Sequence, residues 1–409
     1  MNFDKGFSPC DILLPAPETD LKAWAVIACD QYTSQRDYWD AVEYEVGDKP
    51  STLRLIQPEI DLDKAEARLG EVRRDMKDYL EKGILTCRVR DGFVLTVRRT
   101  AEGLRPGLIG KVDLDAYDFT PGSRKPVRAT EGTILERIPP RVKIREGAPV
   151  EFPHIMLLAD DPDETLTEPV LRRAESLRPL YDFELMLGGG HLTGYAVEDA
   201  QMLDRIDRAL DDLYERNGGF LLAAGDGNHS LATAKACWEK RKAGLTEEQK
   251  KNDPARYALA EIVNLHCPAL LFHPIHRVVF GADRESLLKA FDEWLKVRGM
   301  ALREGGRICI GGRDVSIEGG GDVLDTVYLQ PFLDEYLNRH PEASVDYVHG
   351  EAALAEVAAR TGGVAIRLGT ISKEALFPSV EAGGVLPRKS FSMGEADEKR
   401  FYMEGRRIL

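Results

Sequence analysis

The chain of 409 residues is too long for one ordinary hydrophobic core, and points to two domains or to one large domain with an insertion. Its 43% hydrophobic and 30% charged residues are those of a globular protein and exclude a disordered or fibrous chain. Lys+Arg 55 against Asp+Glu 69 gives a net charge of −14, the wrong sign for a broad nucleic-acid surface, whose affinity comes from neutralising phosphates.

Six scattered cysteines (Cys10, Cys29, Cys87, Cys237, Cys267, Cys309) form no C-x-x-C pair, so reduced thiols and a cytoplasmic setting are expected rather than a disulfide framework. Met1 to Gly6 shows no basic region followed by an apolar stretch, so no signal peptide is expected. The most apolar long window, Tyr257 to Phe280, is interrupted by Glu261, Asn264, three histidines and two prolines, so no membrane span is expected either.

In chain order, Asp11 to Pro15 leads into Trp24 to Cys29, an apolar run that reads as a buried strand ending at Asp30. Gln31, Thr33 and Ser34 follow as polar turn and cap formers, and Arg36 to Glu45 has helical spacing. Leu62 to Lys82 is an amphipathic helix stopped by Gly83, after which Ile84 to Arg90 and Phe93 to Arg99 predict a hairpin around Asp91-Gly92. Gly107 to Asp113 reads as a strand. Residues 120–150 gather Arg124, Lys125, Arg128, Arg137, Arg141, Lys143 and Arg145, either as the solvated face of a strand pair or as an anion site. Glu151 to Ala159 predicts a strand, Asp160 to Leu177 an acidic loop and helix, and residues 183–187 and 193–197 two strands around Gly188-Gly189-Gly190-His191. That glycine run fits a hairpin turn; the dinucleotide spacing G-x-G-x-x-G is absent.

A helix over 199–216 and a strand over 220–224 follow, then strands over 257–265, 269–272 and 276–280. The character changes near Asp283: helices over 284–298, 330–339, 351–361 and 372–378, with strands over 305–318 and 363–368, predict a smaller lobe. Residues 1–282 are therefore expected as a core and 283–409 as a smaller α/β lobe, its Gly/Ser-rich C-terminal segment with Arg388, Lys389 and Ser390 returning to a ligand. The fold class is α/β, with an α+β mixed sheet.

The strongest local signal is Gly225-Asp226-Gly227-Asn228-His229-Ser230, between the strand 220–224 and a helix opening with Leu231-Ala232-Thr233-Ala234. The glycines permit a tight turn and close approach of backbone to a ligand. Asn228 or Ser230 can cap the helix, and its unpaired N–H groups favour an anion. Asp226 beside a phosphate is repulsive unless it binds Mg²⁺ or accepts a proton, and His229 can bond a phosphate oxygen. The same residue types also build a plain capped turn. Asp30, ending a strand, is a candidate for proton abstraction or for capping the next helix, and His276-Arg277 for a phosphate or carboxylate pair.

The stretches Trp24 to Gln35 (WAVIACDQYTSQ), Pro50 to Glu59 (PSTLRLIQPE), Gly225 to Ala234 (GDGNHSLATA), Pro274 to Val278 (PIHRV) and Leu386 to Gly394 (LPRKSFSMG) resemble the bacterial family catalogued as domain of unknown function 1015. The turn alone also resembles the nucleotide turn of the ParB/sulfiredoxin-like superfamily, which includes free serine kinases. That resemblance implies a ParB/sulfiredoxin-like core that binds phosphates at the helix after the turn. Sulfiredoxin chemistry needs a cysteine in the turn, which is missing; ParB-type clamps carry an arginine where Ser230 stands.

The nearest likeness is to free serine kinases, with Asn228-His229 where those enzymes carry a histidine and a small polar residue. It implies a Mg²⁺-dependent phosphotransferase acting on free L-serine, with pyrophosphate, ATP or ADP as donor. Asp30, Asp226 and His229 would be catalytic, with Asp226 also the metal ligand. Gly227, Asn228, Ser230, His276, Arg277, Arg388, Lys389 and Ser390 would hold phosphates, and Gln31, Thr33 and Ser34 the acceptor. A non-catalytic nucleotide-binding switch, binding CTP or ATP, and the reverse dephosphorylation of phosphoserine use the same inventory. No nucleic acid or membrane partner is expected.

Overall fold

The computed structural model describes residues 1–132, 138–387 and 389–409. It is a mixed α/β fold built on two sheets. The larger sheet takes its strands from β1 (Phe7–Ser8), β2 (Cys10–Pro15), β3 (Leu85–Thr100), β4 (Gly103–Asp113), β5 (Tyr117–Asp118) and β6 (Val127–Ala129). After β7 (Val150–Glu151), which lies outside it, come β8 (Met156–Ala159), β9 (Arg178–Glu184), β10 (His191–Val197), β11 (Leu222–Asp226) and β12 (Tyr257–Asn264). The order is β5-β6-β11-β8-β12-β4-β3-β10-β9, with β1 against β4 and β2 against β3.

The middle of this sheet is covered on both faces, so its strands read as unbroken apolar runs. In β8, Leu157 and Ala159 pack with Leu203, Ile206 and Leu210 of the helix Ala200–Arg216 and with Leu231 and Trp238 of the helix Asn228–Lys242. Met156 and Leu158 point the other way, against Leu376, Phe377 and Leu386 from the C-terminal region. The helix Ala200–Arg216 forms because its apolar residues recur on one face and Asp199 caps it, accepting from Gln201 and Met202 N–H.

Two local expectations change in the folded chain. Asp91-Gly92 is not a hairpin turn: β3 runs straight through it, pairing first with β2 and then with β4 and β10. Asp91 takes φ +43° as an irregularity inside the strand, and a Cβ on Gly92 would lie 2.7 Å from the Val197 carbonyl oxygen. Tertiary pairing there overrides the turn chemistry. Trp24–Cys29 is not a strand either. A four-residue helix, Leu21–Trp24, runs into an extended segment whose partner is the C-terminus: Ala28 N–H donates to the Arg400 carbonyl and Tyr402 N–H to that of Val26.

The second sheet has the order β15-β14-β17-β13-β16, from β13 (Phe272–Phe280), β14 (Ala301–Ile310), β15 (Arg313–Glu318), β16 (Ser344–His349) and β17 (Val364–Arg367), with β18 (Phe391–Met393) on β13. Thus β13 belongs to the second sheet, and the chain crosses between sheets before residue 272 rather than near 283. The last residues then return to the first unit. Phe401, Tyr402 and Met403 are buried there, and β19 (Arg406–Arg407) pairs with β7.

The basic stretch 124–145 resolves mostly into ion pairs. Arg141 pairs with Glu59, Lys143 with Glu66 and Arg145 with Glu151, while Arg128 stacks over Phe220 at 4.1 Å and reaches Glu381. Arg137 lies outside the described residues.

Candidate functional site

Strand β11, between β6 and β8, carries Asp226 at its C-terminal end, and the helix Asn228–Lys242 starts two residues later. Gly227 makes this possible: it has φ +71°, and a Cβ there would sit 2.9 Å from Ile155 Cα and 3.1 Å from the His154 carbonyl oxygen. Gly227→Ala is expected to cost at least about 1–2 kcal/mol from the left-handed backbone alone, before the contact is counted. Urea denaturation checks it; an unchanged midpoint would mean that the turn tolerates a side chain.

The N-cap residue of this helix is Gly227, which has no side chain to bond the first-turn amides, so this end of the helix favours an anion. Asp226 Oδ1 accepts from Gly227 N–H at 2.9 Å, and its buried Oδ2 has no hydrogen-bond partner. Asn228 Nδ2 donates to the Ala224 carbonyl at 3.2 Å, which leaves the buried Asn228 Oδ1 without a partner. Thr130 fixes the strand end from the other side, its hydroxyl donating to the same carbonyl at 2.6 Å. His229 lies in the first turn, where its carbonyl accepts from the Thr233 hydroxyl, and Ser230 lines a cavity of about 130 Å³.

Lys399 stands opposite this turn. Its Nζ is 3.4 Å from Asp226 Oδ2, each side chain being 15% exposed. Its charge also acts on Asp30 and on Glu131. Two buried arginines hold its backbone: Arg98 donates to the carbonyls of Asp397 and Lys399, and Arg105 to that of Glu398. Arg400 next to it is locked between Glu261 at 3.0 Å and Glu404 at 2.8 Å, and Glu404 meets the Tyr181 hydroxyl. A lysine so supported has little freedom to leave the carboxylates.

Asp30 completes the group. His154 Nε2 is 3.3 Å from its Oδ2, and Gln31 donates to its Oδ1 at 2.9 Å. His154 Nδ1 meets the Tyr402 hydroxyl at 2.7 Å, and that hydroxyl accepts from Cys29 N–H at 3.0 Å. Burial alone would raise the Asp30 carboxyl, but the His154 charge and hydrogen bond hold it well below the usual carboxylate range. Burial would likewise lower His154, and the Asp30 carboxylate instead holds it well above an ordinary imidazole. Glu131 moves the opposite way from Asp30: burial, with the Asp226 charge, pushes its carboxyl up against the pull of Lys389 and Lys399.

This pair makes stability depend on pH in a stated direction. The contribution of Asp30 is present above about pH 4, its unfolded titration, and is lost as pH falls further. That of His154 is full below about pH 6.5 and is lost as pH rises through its raised value. The urea midpoint is therefore expected to decline above about pH 6.5, and His154→Gln to flatten that decline. An equal slope in both proteins would mean that the pair does not titrate as described.

Of the residues singled out from sequence, Asp30, Gln31, Asp226, Gly227, Asn228 and Lys389 come to this region, Lys389 through its field on Glu131. Thr33 and Ser34 are exposed on the loop after Asp30, and Ser390 is buried, donating to the Pro387 carbonyl. Arg388 lies outside the described residues. The expected His276–Arg277 anion pair is not presented to a ligand. Arg277 is fully buried, bonded to Gln330 and the Ile275 carbonyl and set over the Tyr347 ring. His276 accepts from Leu368 N–H, and burial lowers its pKa, so it carries no charge to offer.

His154, Tyr402, Lys399 and Glu131 were not read from sequence. Lys399 sits in Asp397-Glu398-Lys399-Arg400, which looks like a solvated charge run; the only signal was the aromatic pair Phe401-Tyr402 directly behind it. Among the described residues, no group of three or more His, Cys, Asp or Glu side chains could hold a metal ion, and no helix is long and apolar enough to cross a membrane.

The chain belongs to the family described as Protein of unknown function (DUF1015), which matches residues 10–354. No curated protein matches it. Among solved structures it is similar to a mutant free serine kinase in complex with AMP, at 13% identity and TM-score 0.39, covering 73% of this chain and 90% of that one. A mutant free serine kinase in complex with ADP gives 13% identity and TM-score 0.38 over the same shares. A conserved hypothetical protein from Pyrococcus furiosus gives 13% and 0.34, covering 73% and 94%. Scores of this size leave the question of function to the site itself.

Proposed function

We propose that this chain is a phosphotransferase that moves a phosphoryl group from a nucleotide or pyrophosphate to the hydroxyl of a small metabolite. Free L-serine is the acceptor that the family resemblance implies. One arrangement supports the reading above all: Lys399 faces both Asp226 and Asp30, beside the N-terminus of the helix Asn228–Lys242.

Phosphoryl transfer requires positioning and charge neutralisation more than covalent help from the protein. Asp30, ionised and 30% exposed, accepts the hydroxyl proton as the new O–P bond forms and the donor's P–O bond breaks. His154 holds that carboxylate in place. Lys399 and the amides of residues 228–230 take the charge on the transferring group, with His229 beside them, and Lys389, together with Arg388 by the family resemblance, would neutralise the donor's remaining phosphates.

Mg²⁺ commonly takes one or two carboxylates and completes its shell with water and phosphate oxygens. Asp226 Oδ2, which makes no hydrogen bond and has only the Lys399 ammonium 3.4 Å away among the described residues, would be the ligand, with Glu131 nearby. When bound, the ion would supply further neutralisation of the donor phosphates.

The test is mass spectrometry of a panel of hydroxyl acceptors, including L-serine, L-threonine and glycerol, incubated with the protein, Mg²⁺ and each donor. Gain of one phosphate on L-serine is the expected result. Tight donor binding with no phosphorylated product would favour a nucleotide-binding switch instead.

A further inference from the structure

Tyr32, two residues after Asp30, has φ +52°, a left-handed backbone that is an outlier for a bulky side chain. The loop around it is braced from the first turn of the helix Arg36–Val46. Tyr38 of that turn stacks its ring on that of Tyr32, with centroids 3.7 Å apart and planes 12° from parallel. Trp39 beside it donates from Nε1 to the Gln31 carbonyl at 3.3 Å, and Gln31 in turn holds Asp30. Gln35 N–H closes the loop onto the Tyr32 carbonyl at 3.1 Å. The Tyr32 ring is half-buried and feels the charges of Asp397 and Glu395, which belong to the segment that brings Lys399 to Asp30. Stacking does not account for this residue. One ring pair returns about what the left-handed backbone costs, and glycine would adopt that backbone freely. Strain of this kind gathers at functional sites, where the surrounding structure enforces it.

We propose that Tyr32 determines acceptor specificity: its ring is the wall beside the carbon that bears the reactive hydroxyl, and it selects primary over secondary alcohols. One helix turn fixes both sides of the gap, the base through Trp39 and Gln31 and the ring through Tyr38. A primary hydroxyl reaches Asp30 past that wall. A secondary one presses its extra methyl group against a ring that Tyr38 backs at stacking distance. The proposal rests on the phosphotransferase reading in taking Asp30 as the group that receives the hydroxyl proton.

The test compares L-serine with L-threonine, by kcat/KM and by calorimetric binding, in wild type, Tyr32→Phe and Tyr32→Gly. Wild type is expected to favour L-serine by about 10–200-fold, the range for one added carbon at a fitted apolar wall. Tyr32→Phe should keep that ratio, and Tyr32→Gly should bring it close to one while the urea midpoint stays near that of wild type. Tyr32→Asn, which also tolerates this backbone, serves if glycine loosens the fold. Equal use of both acceptors by wild type, or a preference that survives in folded Tyr32→Gly or Tyr32→Asn, would overturn the proposal and leave the kinase reading standing. A preference seen in binding without transfer would remove the kinase reading and leave the wall. Neither transfer to nor binding of either amino acid would overturn the proposal together with L-serine as the acceptor.

Discussion

Asp30→Asn is expected to lower kcat for phosphoryl transfer by about 10²–10⁴-fold, the range for losing a positioned general base. The amide keeps the shape of the side chain and can still meet Gln31 and His154, so the fold and donor binding should persist. What it loses is the ability to take a proton. The His154 contact bears on how this carboxylate works: a group held well below the usual range is fully ionised at neutral pH and accepts the proton only as bond formation makes the hydroxyl acidic. His154→Gln should therefore act differently, with a smaller fall in kcat and an acid limb that moves toward an ordinary carboxylate pKa. Wild-type kcat in Asp30→Asn would remove Asp30 from the chemistry.

The second large effect is expected at the Asp226–Lys399 contact. Asp226→Asn and Lys399→Met should each lower kcat/KM by about 10²–10³-fold, the scale of removing one preorganised charge from a developing transition state. Because the groups are 3.4 Å apart and act on the same phosphates, the double variant should lose much less than the product of the two effects. Strictly multiplicative losses would mean that they work independently. Since Arg98, Arg105 and Arg400 hold the backbone around Lys399, a disturbed fold can be told from lost chemistry by the urea midpoint.

The turn at Asp226 was legible because everything that makes it is local: an apolar strand, two glycines and a helix start within a dozen residues. Asp30 was legible for the same reason, although the run before it is not a strand. An unbroken apolar run such as Trp24 to Cys29 signals burial without saying which backbone it adopts. What lay beyond reach were partners brought in by distant segments. His154 precedes β8, and Lys399 and Tyr402 come from the returning C-terminus, so no spacing rule connects them with Asp30. The charges around Lys399 misled for a physical reason. Arg400 is buried because it pairs both with Glu404 and with Glu261, a partner 139 residues away. The basic stretch misled likewise, since its arginines find Glu59 and Glu151 rather than an anion.

The most direct measurement is phosphorus NMR of the purified protein with Mg²⁺ and L-serine, run in parallel with ATP, ADP, CTP and pyrophosphate, with Asp226→Asn as control. A new phosphomonoester resonance matching O-phosphoserine, absent in the control, is the predicted result and names the donor directly. Unchanged spectra with every donor, or an equal signal from Asp226→Asn, would contradict phosphoryl transfer at this site.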